Sequence, residues 1–472
     1  MKRGNFYALL IFASLALLFV ATSQHAQRSR AQTISSPLLA RLNTSIAIPP
    51  NQQGKPWINL SAGRELLTST DANETSSVTK GAQPLALAAA DFDEDGIADL
   101  VSSYAEPNSI TLHRGNADAI YPYSSATKQH HAAGQFSDDP FLSPARSFAV
   151  PVAPNWIGAG DFNADGHQDI VLAAKGSAQL CWLAGNGKGE FAEPQATELP
   201  GLVTTMMTGE INRADGLADV MVGISGATEA QLLIFAGAKG AFKTEPETIS
   251  LPSAATALAL GQLDAEYPYD LAVAAGHELL IVRGRDRKTT FSENLRADVN
   301  PVVMERVPFN FRIASIAIGR FTTDRSDAIA LLAANGTLHL LNRASHWQEE
   351  SGAMNVISSA GLQSGTSPQL VRAAISTRPF DDLLVVDKGN RQLHLVMSEM
   401  LLPASARSGE AVSIPTQPLS LQVESAPAAV LPMRLNADAL SDLVVLKSGG
   451  QSALAIARTE AAATFTVNSD QN

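Results

Sequence analysis

The sequence predicts an all-β chain: a seven-bladed β-propeller of four-stranded antiparallel blades behind an N-terminal signal peptide. Three observations lead there. The acidic stretch DFDEDGIADL, Asp91 to Leu100, recurs in seven graded copies. Each copy opens a short run rich in Val, Ile, Leu and Ala. Each run sits between two more strand-like segments, and a fourth, more polar one closes the unit. Such a repeat with β character means a propeller or a linear stack of modules. An open array of β modules is the alternative architecture.

The copies grade from full to fragmentary. DFNADGHQDI, from Asp161, keeps the whole skeleton, and EINRADGLADV, from Glu210, is one residue longer. QLDAEYPYDL, RFTTDRSDAI and TRPFDDLL are poorer, and RLNADALSDL, from Arg434, recovers most of the pattern. The steadiest mark is the final aspartate: Asp99, Asp169, Asp219, Asp270, Asp327, Asp382 and Asp442, at intervals of 70, 50, 51, 57, 55 and 60 residues. The runs that follow, such as DIVLAA and DLLVVD, are nearly continuous in apolar character, which suits strands buried on both faces. The segments before the loops, LALAAADF and WIGAGDF among them, carry small side chains suited to a crowded central axis. Third strands follow, as in AQLCWLAGNG and HELLIVRG. No segment shows a sustained helical period, and the long insertion at 116–146 reads as an exposed loop.

The domain boundaries follow from these repeats. Lys2 and Arg3 precede an apolar run from Phe6 to Ala21, too short to span a bilayer. Ala21-Thr22-Ser23 is a small-x-small cleavage site, with Ser29-Arg30-Ala31 a second candidate. Residues 1–23 are therefore expected to be a signal peptide, 24–84 an extension, 85–467 the propeller and 468–472 a tail. SSVTK, Ser76 to Lys80, and ATFTV, 463–467, compete as the strand that closes the ring. The expected location is outside the cytoplasm: secreted, periplasmic or at the cell surface, with no membrane span after cleavage. Cys181 is the single cysteine, so no internal disulfide forms and stability must come from packing or metal.

The skeleton, its apolar strand and then LAGNGKGEF, Leu183 to Phe191, resemble the FG-GAP/VCBS repeats of integrin-α-like seven-bladed propellers. FAGAKGAF, Phe235 to Phe242, is similar to the Phe-Gly and Gly-Ala-Pro elements without the proline. The resemblance implies calcium in the loop between first and second strands of certain blades. It implies binding or adhesion rather than one reaction, with ligands on the face opposite those loops.

The residues themselves also point to calcium. Ca²⁺ takes six to eight oxygens, and alternate positions of a tight loop can converge on it. In the first loop the expected ligands are Asp91, Asp93, Asp95, the carbonyl of Ile97, and Asp99. In the second they are Asp161, Asn163, Asp165, the carbonyl of His167, and Asp169. In the third they are Glu210, Asn212, Asp215 and Asp219. An EF-hand needs Glu at position 12, where Ser102 and Leu172 stand, and a helix afterwards. The alternative is an acidic turn whose carboxylates bond only backbone amides. In the seventh loop Arg434 takes position 1, and its guanidinium is expected to pair with Asp438 and Asp442 in place of an ion.

No catalytic motif was found, and His130-His131 read as solvated loop residues. The net charge of −12 argues against a nucleic-acid partner. The expected function is a monomeric calcium-binding module for a protein or glycan ligand. The alternative is a propeller-fold polysaccharide lyase or hydrolase.

Overall fold

The computed structural model describes residues 56–58, 64–65, 83–212, 215–287, 299–321, 327–342, 347, 354–357, 368–375, 380–397, 418–438, 440–448 and 453–461. All belong to the compact unit Ile46–Asn472. The signal segment and both expected closing strands, SSVTK and ATFTV, lie outside them. Among the described residues no helix is long and apolar enough to cross a membrane.

The chain is a seven-bladed β-propeller of four-stranded antiparallel sheets. Blade 1 comprises Gln83–Ala90, Asp99–Ala105, Ser109–His113 and Arg146–Ala149. Blade 2 is Trp156–Gly160, Asp169–Ala173, Gln179–Leu183 and Gln195–Glu198. Blade 3 is Leu202–Gly209, Asp219–Ser225, Ala230–Phe235 and Glu247–Leu251. Blade 4 is Ala255–Gly261, Asp270–Ala275, Glu278–Val282 and Met304–Pro308. Blade 5 is Ile313–Gly319, Ala328–Ala333, Thr337–Leu341 and Met354–Asn355. Blade 6 is Gln369–Ala373, Asp382–Asp387, Gln392–Val396 and Leu419–Gln422. Blade 7 takes Pro427–Met433, Asp442–Lys447 and Leu454–Ala457 from the C-terminal end. Its fourth strand is Arg64–Glu65, where Arg64 faces Ile456 and Glu65 faces Ala455. Pro56–Ile58 pairs with Thr459–Ala461 beside it.

The apolar second strands explain how the blades cohere. Successive side chains on a strand point to opposite faces, so each second strand feeds two cores. Leu100 packs between blades 7 and 1, and its neighbour Val101 between blades 1 and 2. Ile170 and Val171 divide in the same way, as do Val220 and Met221. Seven such clusters each join two adjacent blades, and the one holding Leu100 with Val444 joins the last to the first. The small residues of the first strands let blades approach: a Cβ on Gly158 would sit 2.1 Å from Thr208 Cγ2 of blade 3.

Within the blades, the structure departs from the sequence reading in the blade 1 insertion and at the start of the second strand of blade 5. The blade 1 insertion holds two helices, α1 (Ala117–Ile120) and α2 (Ser125–Ala133). Ser124 caps α2 by accepting from Thr127 N, and Gly134 ends it at φ 70°. His130 and His131 therefore stand on its last turn, and His130 Nδ1 lies 2.9 Å from Asp118. In blade 5 the expected final aspartate is displaced by one residue. Ala328, not Asp327, pairs with Gly319, as Asp270 pairs with Gly261.

Leu454–Ala457 depends on the N-terminal segment for its outer partner. A chain that begins at residue 67 should melt several degrees lower and show faster amide exchange confined to blade 7, measured by hydrogen–deuterium exchange.

Candidate metal centre

Each acidic loop joins the first strand of a blade to the second, so all lie on one face. Their frame rests on two positions. Position 2 is a buried apolar residue in every copy: Phe92, Phe162, Ile211, Leu263, Phe321, Ile375 and Leu435. Position 9 is a buried aspartate in all blades but the fifth. That aspartate clamps two segments. Asp99 Oδ2 accepts from Phe92 N at 2.8 Å, and its Oδ1 accepts from Gly115 N, beyond the third strand, at 2.7 Å. Asp169 does the same with Phe162 N and Gly185 N, and Asp442 with Leu435 N and Thr459 N. Asp219 accepts from Ile211 N, Asp270 from Gly284 N, and Asp382 from Ile375 N.

Asp327 belongs to a different network. Its carboxylate accepts from Gln262 N of blade 4 at 3.0 Å, and its own N donates back to Gln262 O. Asp381 bonds Arg320 N of blade 5 in the same way. Position 8 thus ties a loop to that of the preceding blade.

Loops 1 and 2 are sharply turned. Glu94 and Ala164 at position 4 have φ 58° and 64°, and Gly96 and Gly166 at position 6 have φ 86° and 89°. Each of these loops therefore holds two left-handed residues, of which only the one at position 6 is a glycine. The other one is paid for by the loop's own bonds. In loop 1, Asp91 accepts from Asp95 N and Gly96 N, and Asp95 from Ile97 N. In loop 2, Asp161 accepts from Asn163 N, Ala164 N and Gly166 N, Asn163 Nδ2 donates to Asp165, and Asp165 accepts from His167 N. The loops touch where His167 Nδ1 meets Glu94 Oε1 at 2.5 Å.

Loop 1 brings oxygens of Asp91, Asp93 and Asp99 within 4.8 Å of one another. Asp95 is not in that group, and among the described residues no other loop assembles three acids so closely. Asp93 Oδ1 is buried with no hydrogen-bond partner. A hard cation fits this donor set, because it would satisfy that oxygen and offset the clustered charge. In loop 3, Glu210 Oε2 and Asn212 Oδ1 are likewise buried without partners, while Leu217 N donates to Asp215. Arg287, from the segment after blade 4's third strand, donates to Ile211 O at 2.9 Å and to Glu247.

Loops 4 and 7 are built differently. Arg283 follows the third strand of blade 4 and reaches Asp270 at 3.1 Å, Asp264 at 3.4 Å, and Glu305. Trp347 lies over the guanidinium, 5.9 Å from centroid to Cζ, and its Nε1 donates to Glu305 at 2.9 Å. Sequence reasoning missed this arginine because it sits 13 positions beyond the final aspartate of its loop. In loop 7, Arg434 does not pair with Asp438 and Asp442. It donates instead to the carbonyls of Asn436, Ala437 and Asp438, and its Cζ stands 5.6 Å from the Tyr121 ring.

Burial raises the clamp carboxylates of Asp99, Asp169, Asp219, Asp270 and Asp442, and neighbouring acids add to it in each of these. Asp99 and Asp219 are pushed up to about 7, and Asp169 and Asp442 to about 6. Cys181 is buried, which pushes its thiol up to about 11 and leaves it unreactive.

Seven of the eight large apolar side chains exposed among the described residues share the face of the acidic loops. Tyr121, Tyr123 and Leu142 belong to the blade 1 insertion, and Tyr267, Tyr269, Val302 and Val303 to blade 4. Leu202 is on the opposite face. The blade 4 group is contiguous: Arg283 N donates to Val303 O, and Gly284 packs against the carbonyls of Pro268 and Tyr269.

No family model matches the chain, and no curated protein does. Among solved structures it is similar to BBS1N in complex with ARL6DN, soaked with lead or with mercury. Identity is 12% in both, covering 84% of this chain and 96% of that one, with TM-scores of 0.49 and 0.48. It is also similar to Sqt1 of Saccharomyces cerevisiae, at 11% identity over 78% of this chain and 82% of that one, with a TM-score of 0.42.

Two outcomes follow for the clamp. Asp99→Ala strands two buried N–H groups and should cost about 2–4 kcal/mol in denaturant unfolding. The raised carboxylates bind protons more tightly folded than unfolded, where the value is 3.8. Their stabilisation is therefore full below about pH 4 and is lost as pH rises through about 6–7. With chelator present, the melting temperature should fall between about pH 4 and 7, and Asp99→Asn should flatten that slope.

Proposed function

We propose that this chain is an exported, calcium-bound propeller of the FG-GAP/VCBS type, serving as a binding or adhesion module for a protein or glycan. Loop 1 carries the reading: three carboxylates converge there, and a buried oxygen of Asp93 has no partner. Asp91, Asp93 and Asp99 would hold the ion in blade 1. Asp161, Asn163, Asp165 and Asp169 would hold one in blade 2, and Glu210, Asn212, Asp215 and Asp219 one in blade 3. Bound calcium supplies fixed positive charge that offsets the acids. The chain's own part is to keep each loop turned and its strand entry closed.

The contact surface falls on the loop face. The resemblance pointed to the opposite face, but the exposed tyrosines and valines of blades 1 and 4 favour this one. Tyrosine brings large contact area with a polar tip, suited to stacking on sugars or to a protein interface. Tyr267 is 71% exposed and Tyr123 83%, so neither serves the core.

Calcium at a hundredfold excess over Kd should add about 2.7 kcal/mol of stability. Chelation should accordingly lower the melting temperature, and Asp93→Ala with Asp165→Ala should remove most of that difference. An unchanged melting curve in chelator would sink the calcium reading. For the ligand, glycan and protein arrays probed with wild type and with Tyr267→Ser/Tyr269→Ser should show binding lost in the variant at unchanged melting temperature.

A further inference from the structure

We propose that Arg283 is the resident cation of blade 4, so that this blade holds its acidic loop closed without metal while blades 1 to 3 depend on it. The inference rests on the calcium reading for those three blades. It turns on two positions that the sheet register makes equivalent around the ring.

The first position directly follows the third strand, and in blades 1, 2 and 4 the residue after it donates to the clamp aspartate. It is Arg114 in blade 1, Ala184 in blade 2, Ala236 in blade 3 and Arg283 in blade 4. Alanine carries no charge, so blades 2 and 3 have no cation of their own here. Blades 1 and 4 both have arginine, yet the two side chains behave differently. Arg283 is largely buried, at 13% exposure, and gathers position 3 (Asp264), position 9 (Asp270) and Glu305. Arg114 is 29% exposed and comes no nearer than 3.7 Å to one carboxylate, Asp93, whose other oxygen is left unpartnered.

The second position explains the difference. It lies on the fourth strand, opposite the next-to-last residue of the third. In blade 4, Ile281 faces Glu305, whereas in blade 1, Leu112 faces Arg146. Glu305 draws the guanidinium inward, and Trp347 covers it. Arg146 offers no such acceptor and itself donates to the carbonyls of Lys188 and Gly189 of blade 2. A guanidinium with five donors can satisfy several carboxylates at once, as an ion would, provided an acceptor holds it in place. Blade 3 has the acceptor, Glu247, without its own arginine, and it takes Arg285 and Arg287 from blade 4.

Hydrogen–deuterium exchange on the full chain, with and without EGTA, tests this. In wild type, chelation should speed exchange at Phe92, Phe162 and Ile211 at least tenfold and leave Gly284 unchanged. Faster exchange at Gly284 in wild-type EGTA would overturn the inference. Should EGTA alter none of the four amides, the calcium reading fails, and the arginine variants alone then decide the role of Arg283. Arg283→Ala should expose Gly284 to at least tenfold faster exchange and lower the melting temperature, with calcium and without it. An unchanged Gly284 in that variant would overturn the inference. In an Asp264→Asn/Glu305→Gln background the same substitution should have a smaller effect, because two of the three carboxylates it balances are gone and only Asp270 remains. An equal effect in both backgrounds would mean that Arg283 acts only by packing under Trp347, and would overturn it too.

Discussion

The buried aspartate at the start of six of the seven second strands is the constraint on which the ring depends. It is placed where two backbone segments must be held, the turn before it and the chain leaving the third strand. A carboxylate does this with two acceptors at one point, which no apolar side chain could do. The same placement removes the group from water, so its charge is costly. The other features of the loop face address that cost. Blade 1 clusters further oxygens that suit a cation, blade 4 brings in an arginine, and blade 7 fills its loop with Arg434. One backbone solution is thus maintained by several electrostatic ones.

Most of the architecture was legible because the repeat encodes it twice, in the acidic loop and in the apolar run behind it. Runs such as DLLVVD and DLVVLK announced strands buried on both faces, and the paired cores explain why the positions between their polar ends are all apolar. What remained hidden had weak or displaced signals. RSDAI kept an aspartate, but the pairing of Gly319 with Ala328 shows it one residue early, serving the neighbouring blade instead. The helix at Ser125–Ala133 is too polar to show a periodic face, although Ser124 and Gly134 mark its ends. Of the candidate site, the positions came from spacing. The partition of cations did not, because Arg283 meets its carboxylates only through the register of three strands.

The loop face combines two properties that seldom coincide. It carries the polar turns that need the most internal support, and among the described residues it also presents seven of the eight large apolar side chains left in solvent. Tyr267 and Tyr269 lie inside the very loop that Arg283 holds, between Asp264 and Asp270. Rigid support beneath an exposed aromatic pair reduces the entropy lost when a partner is engaged.

The pairing of Arg64 with Ile456 has a consequence for how the molecule comes into being. Blades 1 to 6 are each completed by neighbouring stretches of chain, so they can form as they emerge. The seventh cannot, since its outer strand is made first and its other three last. Bringing residues so distant together carries a large loop-closure cost, which only the finished set of cores can offset. Until then Arg64–Glu65 waits unpaired, and Ala455 and Ile456 lack their outer partner. Ring closure is therefore a late, all-or-none event that reports on every blade before it, and a chain arrested short of residue 454 has no means of completing it.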